Sequence, residues 1–174
     1  MSPLIRDEYA IGPLEKKHDR SIFSCGSDAL DGYLRERASQ DAKKRVATIF
    51  VLTEASENTV IGYYTLAAGN VDLGEWPPAL KKKLPLYPVV PVTLLGRLAL
   101  DKKYHGKKLG EHILMDALLR CSTVAREIAS VAVIVDAIDE KALKFYEHYG
   151  FRMFPKQSNR LFLHMQTINE MFEP

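Results

Sequence analysis

An apolar run that leads into a short basic loop is the part of this chain best suited to chemistry. The run VTLLGRLAL precedes the loop letters HGKKLG, His105–Gly110, and a helical pattern follows them. Unpaired backbone N–H groups and the helix dipole both favour an anion at such a helix start. The spacing therefore predicts a cradle for a pyrophosphate.

A phenol follows on the next predicted helix, in the segment KALKFYEHYGF. Tyr146 shares a helix face there with Ala142, Phe145 and Tyr149. Together the loop and the phenol indicate a cofactor site with an acid placed beside it. Two alternatives stay open: Tyr146 only packs in the core, or Tyr149 is the phenol that acts.

Length, composition and charge indicate what kind of protein carries this site. Its 174 residues are 47% apolar, which predicts a single domain, 1–174, with a sizeable core. The formal net charge of +2 excludes no class of partner, but basic residues cluster in short runs. Such runs are either solvated surface or contacts to phosphate-bearing ligands.

The cysteine content indicates the compartment. The two cysteines make no disulfide framework, and no metal-ligand spacing joins them to the five histidines. We therefore expect no metal and a reducing cytoplasm. The N-terminal segment carries charges where a signal peptide needs an apolar core, and no run approaches the roughly 18 apolar residues of a membrane span. The sequence thus predicts a soluble protein with no membrane partner.

Periodicity predicts the first elements. Ser27 can cap a helix that ends in the basic letters KKR, and two β-branched runs after it are typical of a hairpin. The segment GEWPPALKKKLPLYPVVPV holds five of the nine prolines. We predict an ordered loop there, neither regular helix nor central strand.

The second half alternates between strands and helices. A strand VTLLGRLAL precedes a helix whose apolar spacing extends to Ile128, and a strand SVAVIVDAI precedes a helix that Asp139 can cap and Gly150 can end. The letters RLFLHMQ predict a last strand and TINEMFEP a short tail. The order predicts an α/β fold, with helices packed on a sheet.

These segments resemble the GNAT superfamily of N-acetyltransferases, whose acetyl-CoA loop reads Q/R-x-x-G-x-G/A. Here His105 replaces the usual Gln or Arg and Lys108 replaces the first glycine, whereas Gly110 matches. The family's next helix begins with an Asn that contacts the pantetheine, at the position of Asp139, and carries a Tyr near the CoA sulfur, at that of Tyr146. The resemblance implies the GNAT fold, a mixed central sheet with helices on both faces.

The same resemblance implies the residues that bind acetyl-CoA. They are Leu98, Ala99, Leu100, His105, Gly106, Lys107, Lys108, Leu109, Gly110, Asp139 and Tyr146. Lys107 and Lys108 are expected to pair with CoA phosphates as point charges. Tyr146 is expected to give the departing thiolate its proton, because a phenol within hydrogen-bond reach can do so.

The strand lacks the Glu that many relatives use as a base. Between Val89 and Leu100 the only ionisable side chain is Arg97, so the acceptor amine has to arrive mostly uncharged or lose its proton through water. A lysine amine has a reference pKa of about 10.4, whereas an α-amine has one of about 7.7 to 8.0. An α-amine is therefore the better acceptor.

A closer resemblance covers nearly the whole chain. The element FSCGSDALDGYL, together with PVTLLGRLALDKKYHGKKLG and KFYEHYGF, is similar to the acetyltransferase toxins of bacterial type II toxin–antitoxin systems. That resemblance implies acetylation of the α-amine of aminoacyl-tRNA, a block of translation, a ribbon-helix-helix antitoxin and a homodimer.

Basic residues agree with an RNA substrate. Arg97 and the run Lys43, Lys44 and Arg45 are candidates for binding the charged tRNA through phosphate contacts. Arg97 has an alternative, which is to satisfy a structural carbonyl or carboxylate. Two other functions also stay open: transfer to a protein N-terminus or small amine, and a binding module without catalysis because Lys108 disturbs the loop.

Overall fold

The computed structural model describes residues 6–173. They form two compact units, each built from two stretches of chain. The first comprises Met1–Ala67 and Arg97–Ala117, and the second comprises Ala68–Gly96 and Leu118–Pro174.

The strands form one mixed sheet of seven, in the order β1-β2-β3-β4-β5-β7-β6. Strand β4 runs parallel to β5, whereas the pairs β1 and β2, β2 and β3, β5 and β7, and β6 and β7 are antiparallel. Their bounds are β1 Tyr9–Pro13, β2 Thr48–Glu54, β3 Gly62–Asp72, β4 Val89–Leu100, β5 Ala132–Asp136, β6 Arg152–Met153 and β7 Arg160–His164. The predicted hairpin is confirmed as β2 and β3.

The helices are mostly where periodicity places them. Their bounds are α1 Asp28–Gly32, α2 Ala38–Lys43, α3 Pro78–Lys81, α4 Leu109–Val124, α5 Glu140–His148 and α6 Met165–Phe172. A π-helical turn, Tyr33–Arg37, joins α1 to α2. Ser27 caps α1 as predicted, because its side chain accepts a hydrogen bond from the Leu30 amide at 3.3 Å.

In the first unit both faces of the sheet are covered. One face packs Ile49, Val51 and Tyr63 against the helical segment that contains Leu34 and Ala38. On the opposite face, the Tyr64 hydroxyl donates to the Asp116 carboxylate of α4 at 2.6 Å. Alternate residues of β2 and β3 thus serve opposite layers, as a pleated strand requires.

In the second unit the core is aromatic. Trp76 packs against Phe154 and Phe162, with ring centres 5.1 and 5.3 Å away. Val92 of β4 and Ile134 of β5 complete this cluster. Helix α6 is joined to the second half of α4 by a hydrogen bond of 2.6 Å from the Ser122 hydroxyl to Asn169.

Three sequence predictions are wrong in part. The proline-rich segment contains α3, because a proline in the first turn of a helix loses no hydrogen bond, and its last residues already belong to β4 with Pro91 in the strand. The C-terminal tail is the helix α6, whose first turn is capped by His164. Helix α4 ends at Val124, and Ile128 beyond it is 72% exposed rather than buried.

No helix of residues 6–173 is both long enough and apolar enough to cross a membrane.

Candidate acetyl-CoA site

The turn after β4 connects the strand to helix α4 in the first unit. Asp101 lies at its start, 7% exposed, and accepts hydrogen bonds from the amides of Ser24 at 3.1 Å and Lys103 at 3.0 Å. The Lys102 amide donates in return to the Ser24 carbonyl at 2.9 Å. These bonds form a single turn of 3-10 helix, Lys102–Tyr104, which leads into the loop His105–Gly110.

The loop backbone has the conformation that glycines normally supply. Gly106 has a φ of +84° and Lys108 a φ of +59°. The left-handed region costs a residue with a Cβ about 1–2 kcal/mol, so most chains place glycine there. Lys108 therefore adopts a glycine-like backbone conformation despite its side chain.

Side chains tie this loop to the strand end. A ring nitrogen of His105 lies 2.9 Å from the Leu100 carbonyl oxygen. The Tyr104 hydroxyl donates to Glu54 at 2.5 Å, and this bond, more than burial, raises the pKa of Tyr104 to about 12. Lys107 lies over the Tyr104 ring, with its Nζ 5.2 Å from the ring centre. His105 thus has a structural contact, and Glu54 is a partner that the sequence did not reveal.

The start of α4 combines backbone donors with two lysine residues. Gly106, Lys107 and Lys108 are exposed, whereas Leu109 is fully buried and anchors the first turn. The first N–H groups of any helix have no intrahelical acceptor, and this helix runs for 16 residues behind them. Backbone donors, the helix dipole and two lysine residues therefore occur together at this helix start, which suits a diphosphate.

The strand residues that precede the loop continue this surface. Ala99 is buried in the first unit's core, while Leu98 and Leu100 are half-buried. The Asp101 amide donates to the Ile61 carbonyl at 2.8 Å, which fixes the strand end. Nine of the predicted cofactor residues, Leu98–Leu100 and His105–Gly110, are thus consecutive parts of one strand–loop–helix segment.

The remaining two predicted cofactor residues lie on α5, in the second unit. Asp139 caps the helix, its carboxylate accepting from the Ala142 amide at 2.8 Å. Tyr146 is 6% exposed and lies between the rings of Phe145 and Phe151, at 5.4 and 5.3 Å. Gly150 ends the segment with a φ of +95°, as predicted.

Burial raises the pKa of the Tyr146 phenol above its ordinary value. The phenol therefore stays protonated at neutral pH. Among residues 6–173 its hydroxyl has no hydrogen-bond partner, so the proton is not committed to another protein group. Tyr149, the alternative phenol, is half-buried with its ring 5.0 Å from that of Phe145.

The predicted substrate cations lie in the first unit. The guanidinium carbon of Arg97 is 3.5 Å from the centre of the Tyr33 ring. Within residues 6–173 Arg97 makes no hydrogen bond or ion pair, so the alternative role, satisfying a structural carbonyl or carboxylate, is not observed. Lys43, Lys44 and Arg45 are all exposed where α2 ends, and Arg45 has a left-handed φ of +60°.

Across residues 6–173, histidine, cysteine and carboxylate side chains form no group of three or more able to hold a metal ion.

Comparison with known proteins gives the family. The profile of a family described as acetyltransferase (GNAT) domain matches residues 92–167, which include β4 from Val92 onward, the loop and α5. A tRNA-acetylating toxin of Mycobacterium tuberculosis is 37% identical over 153 residues, or 88% of this chain and 90% of that protein.

Two solved structures share the fold over nearly their whole length. AtaT complexed with acetyl-methionyl-tRNAfMet has a TM-score of 0.88 at 26% identity, covering 95% of this chain and 99% of that one. AtaTR bound with AcCoA has a TM-score of 0.85 at 26% identity, covering 97% and 100%. The expected GNAT fold is thus confirmed. The chain belongs to the GNAT N-acetyltransferases and, within them, to the family of the tRNA-acetylating toxins.

Proposed function

We propose that this protein is a toxin that transfers the acetyl group of acetyl-CoA to the α-amine of an aminoacyl-tRNA, and that this blocks translation. The observation that carries the proposal is the segment from Leu98 to Gly110, whose loop keeps a glycine-like backbone at Lys108 and leads into the long helix α4. The 37% identity to a tRNA-acetylating toxin supports the same acceptor.

Acetyl-CoA supplies an activated acyl group, the thioester. The proposed role of the loop is to hold its phosphates with backbone N–H groups of His105–Gly110 and with the ammonium groups of Lys107 and Lys108. Leu98, Ala99 and Leu100 are proposed to bind the pantetheine along the strand. Asp139, whose carboxylate already caps α5, is proposed to contact the pantetheine as well.

Direct transfer accounts for the proton balance. The amine nitrogen bonds to the acetyl carbonyl carbon, the carbon–sulfur bond breaks, and the sulfur leaves with the bonding electron pair. We infer that Tyr146 gives its phenolic proton to that sulfur, while the nitrogen loses one proton to water. Water then reprotonates Tyr146. The observation that supports this role is that the Tyr146 hydroxyl has no hydrogen-bond partner among residues 6–173, so its proton is not held by another protein group.

No carboxylate on β4 is available to deprotonate the acceptor, since Arg97 is the only ionisable side chain from Val89 to Leu100. An α-amine adjacent to an ester suits such a site, because much of it is uncharged at neutral pH. Arg97 and the run Lys43, Lys44 and Arg45 are the proposed tRNA contacts. The left-handed backbone at Lys108 is a conformation that glycine adopts freely, and this favours a catalytic loop over a binding module without catalysis.

The proposal extends to partners and location. We infer a ribbon-helix-helix antitoxin and a homodimer from the toxin family, and a cytoplasmic reaction because charged tRNA is used there. We also propose that residues 1–174 act as one catalytic domain, since β4 and α4 each continue from one compact unit into the other.

The test is to incubate the protein with labelled acetyl-CoA and charged tRNA, then release the aminoacyl group with mild base. We expect the label in an N-acetyl amino acid, with uncharged tRNA as the unlabelled control. Label in protein N-termini or small amines, with charged tRNA inert, would replace this proposal by the alternative acceptor.

A further inference from the structure

Arg97 is held in a way that leaves its charge and its donors available to a ligand. Its guanidinium lies on the Tyr33 ring, 3.5 Å from the ring centre, at a cation–π distance. The residue is half-buried, and no acceptor among residues 6–173 takes any of its five N–H groups. An arginine with a purely structural role normally donates hydrogen bonds to a carbonyl or carboxylate, as Arg35 does to the Phe23 carbonyl at 2.7 Å.

The ring beneath Arg97 is itself fixed. The Tyr33 hydroxyl donates to Asp41 at 2.8 Å, and the Tyr63 ring is stacked on Tyr33 with centres 6.3 Å apart and planes at 17°. Tyr63 in turn donates to the Leu30 carbonyl at 2.7 Å. These contacts hold the Tyr33 ring in one orientation. The guanidinium stacked on it therefore gives up little rotational freedom when a ligand binds it.

The neighbouring charges do not neutralise Arg97 through direct contact. Asp41 accepts from Tyr33, and the buried carboxylate of Asp31 accepts from the Cys25 amide at 2.9 Å. Both tyrosines stay uncharged at neutral pH, because burial raises the pKa of Tyr33 to about 12 and that of Tyr63 further. The Arg97 guanidinium is thus a cation stacked on a ring, with N–H groups that no protein acceptor among residues 6–173 uses. Such a group suits bidentate binding of a phosphate.

The location of Arg97 on β4 indicates which phosphate of a charged tRNA it can reach. It directly precedes Leu98–Leu100, the proposed pantetheine strand, and strand residues advance by about 3.3 Å each. An acceptor whose amine reaches the thioester therefore brings its nearest groups to Arg97. In a charged tRNA the nearest anion to the aminoacyl group is the phosphodiester of the terminal nucleotide.

We propose that Arg97, stacked on Tyr33, binds the phosphodiester of the terminal nucleotide of the aminoacyl-tRNA and so places the amine at the thioester. This inference rests on the proposed function. It assigns to Arg97 a recognition role that acceptors without a phosphate do not use.

The test compares Arg97→Gln with wild type on two acceptors, charged tRNA and an aminoacyl-adenosine that lacks the phosphate. Arg126→Gln is the matched control, because Arg126 is exposed and lies after α4, outside the proposed site. For charged tRNA we expect kcat/KM to fall about 10- to 100-fold in Arg97→Gln, since a charge-assisted hydrogen bond contributes that much. For the aminoacyl-adenosine we expect a change below about 3-fold.

The salt dependence separates binding from a structural role. The slope of log kcat/KM against log salt concentration should become shallower by about one unit in Arg97→Gln. Arg97→Lys, which keeps the charge, should restore most of the wild-type slope. Equal losses on both acceptors, or an unchanged slope, would overturn the inference while leaving the proposed function intact. Wild-type protein that acetylates no charged tRNA would overturn the proposed function itself.

Discussion

At the scale of single residues, Lys108 combines a positive charge with a left-handed backbone. Replacing it separates the two properties. We expect Lys108→Gly to raise the free energy of unfolding by roughly 0.5 to 1 kcal/mol, because glycine adopts this conformation without a steric cost. The melting temperature should rise by about 1 to 4 °C for a chain of this size.

The same variant should bind acetyl-CoA several-fold more weakly, because it loses one ammonium group beside the proposed phosphates. Lys107→Gly is the matched control: it removes an equal charge from the same loop, but Lys107 has no left-handed φ to relieve. A stability gain of the same size in Lys107→Gly would contradict the explanation by backbone strain.

Tyr146 and Tyr149 offer a second paired comparison. We expect Tyr146→Phe to lower kcat at least about 100-fold, because only Tyr146 is proposed to protonate the sulfur. Its thermal stability should change little, since the removed hydroxyl has no hydrogen-bond partner among residues 6–173. Tyr149→Phe should stay within about 3-fold of wild type. Transfer assays on charged tRNA at saturating acetyl-CoA measure both, and the reverse order of effects would move the acid to Tyr149.

At the scale of elements, the cap of α5 connects stability to the site. Asp139 accepts from the Ala142 amide at 2.8 Å, and loss of such a cap costs about 1 kcal/mol. We expect Asp139→Ala to lower the urea midpoint accordingly, whereas Asp139→Asn, which keeps a cap and matches the family residue, should stay near wild type. If both substitutions were equally destabilising, the charge of Asp139 rather than its cap would stabilise the helix.

Some helix and strand boundaries can be predicted from neighbouring residues, and others cannot. The sequence predicts the roles of Ser27, Asp139 and Gly150, because a cap or a left-handed glycine acts within a few residues. The sequence does not predict helix α3, because proline disfavours helix interiors but not a first turn. The prolines also obscure the start of β4. The π-helical turn, Tyr33–Arg37, has no signature in a pattern of helical period.

At the scale of the whole molecule, acetyl-CoA should stabilise the chain. A ligand that binds only the folded state adds about 2.7 kcal/mol at a concentration of 100 times its Kd, which corresponds to a rise in melting temperature of roughly 5 to 10 °C here. Thermal denaturation with and without acetyl-CoA measures this. CoA without its 3′-phosphate should give a smaller shift if Lys107 or Lys108 binds that group, and no shift with either compound would exclude the proposed site.

The sequence alone determined the order of most strands and helices, the strand–loop–helix segment that is proposed to bind acetyl-CoA, and the phenol on α5. These features follow from periodicity, caps and a family pattern, which are all local. Tertiary structure decided which distant groups meet: Asp101 with Ser24, 77 positions apart, Tyr104 with Glu54, 50 apart, and Arg97 with the Tyr33 ring. Such contacts depend on how every packed layer fits together, so the stacking of Arg97 on Tyr33, on which its proposed recognition role rests, is seen only in the folded chain.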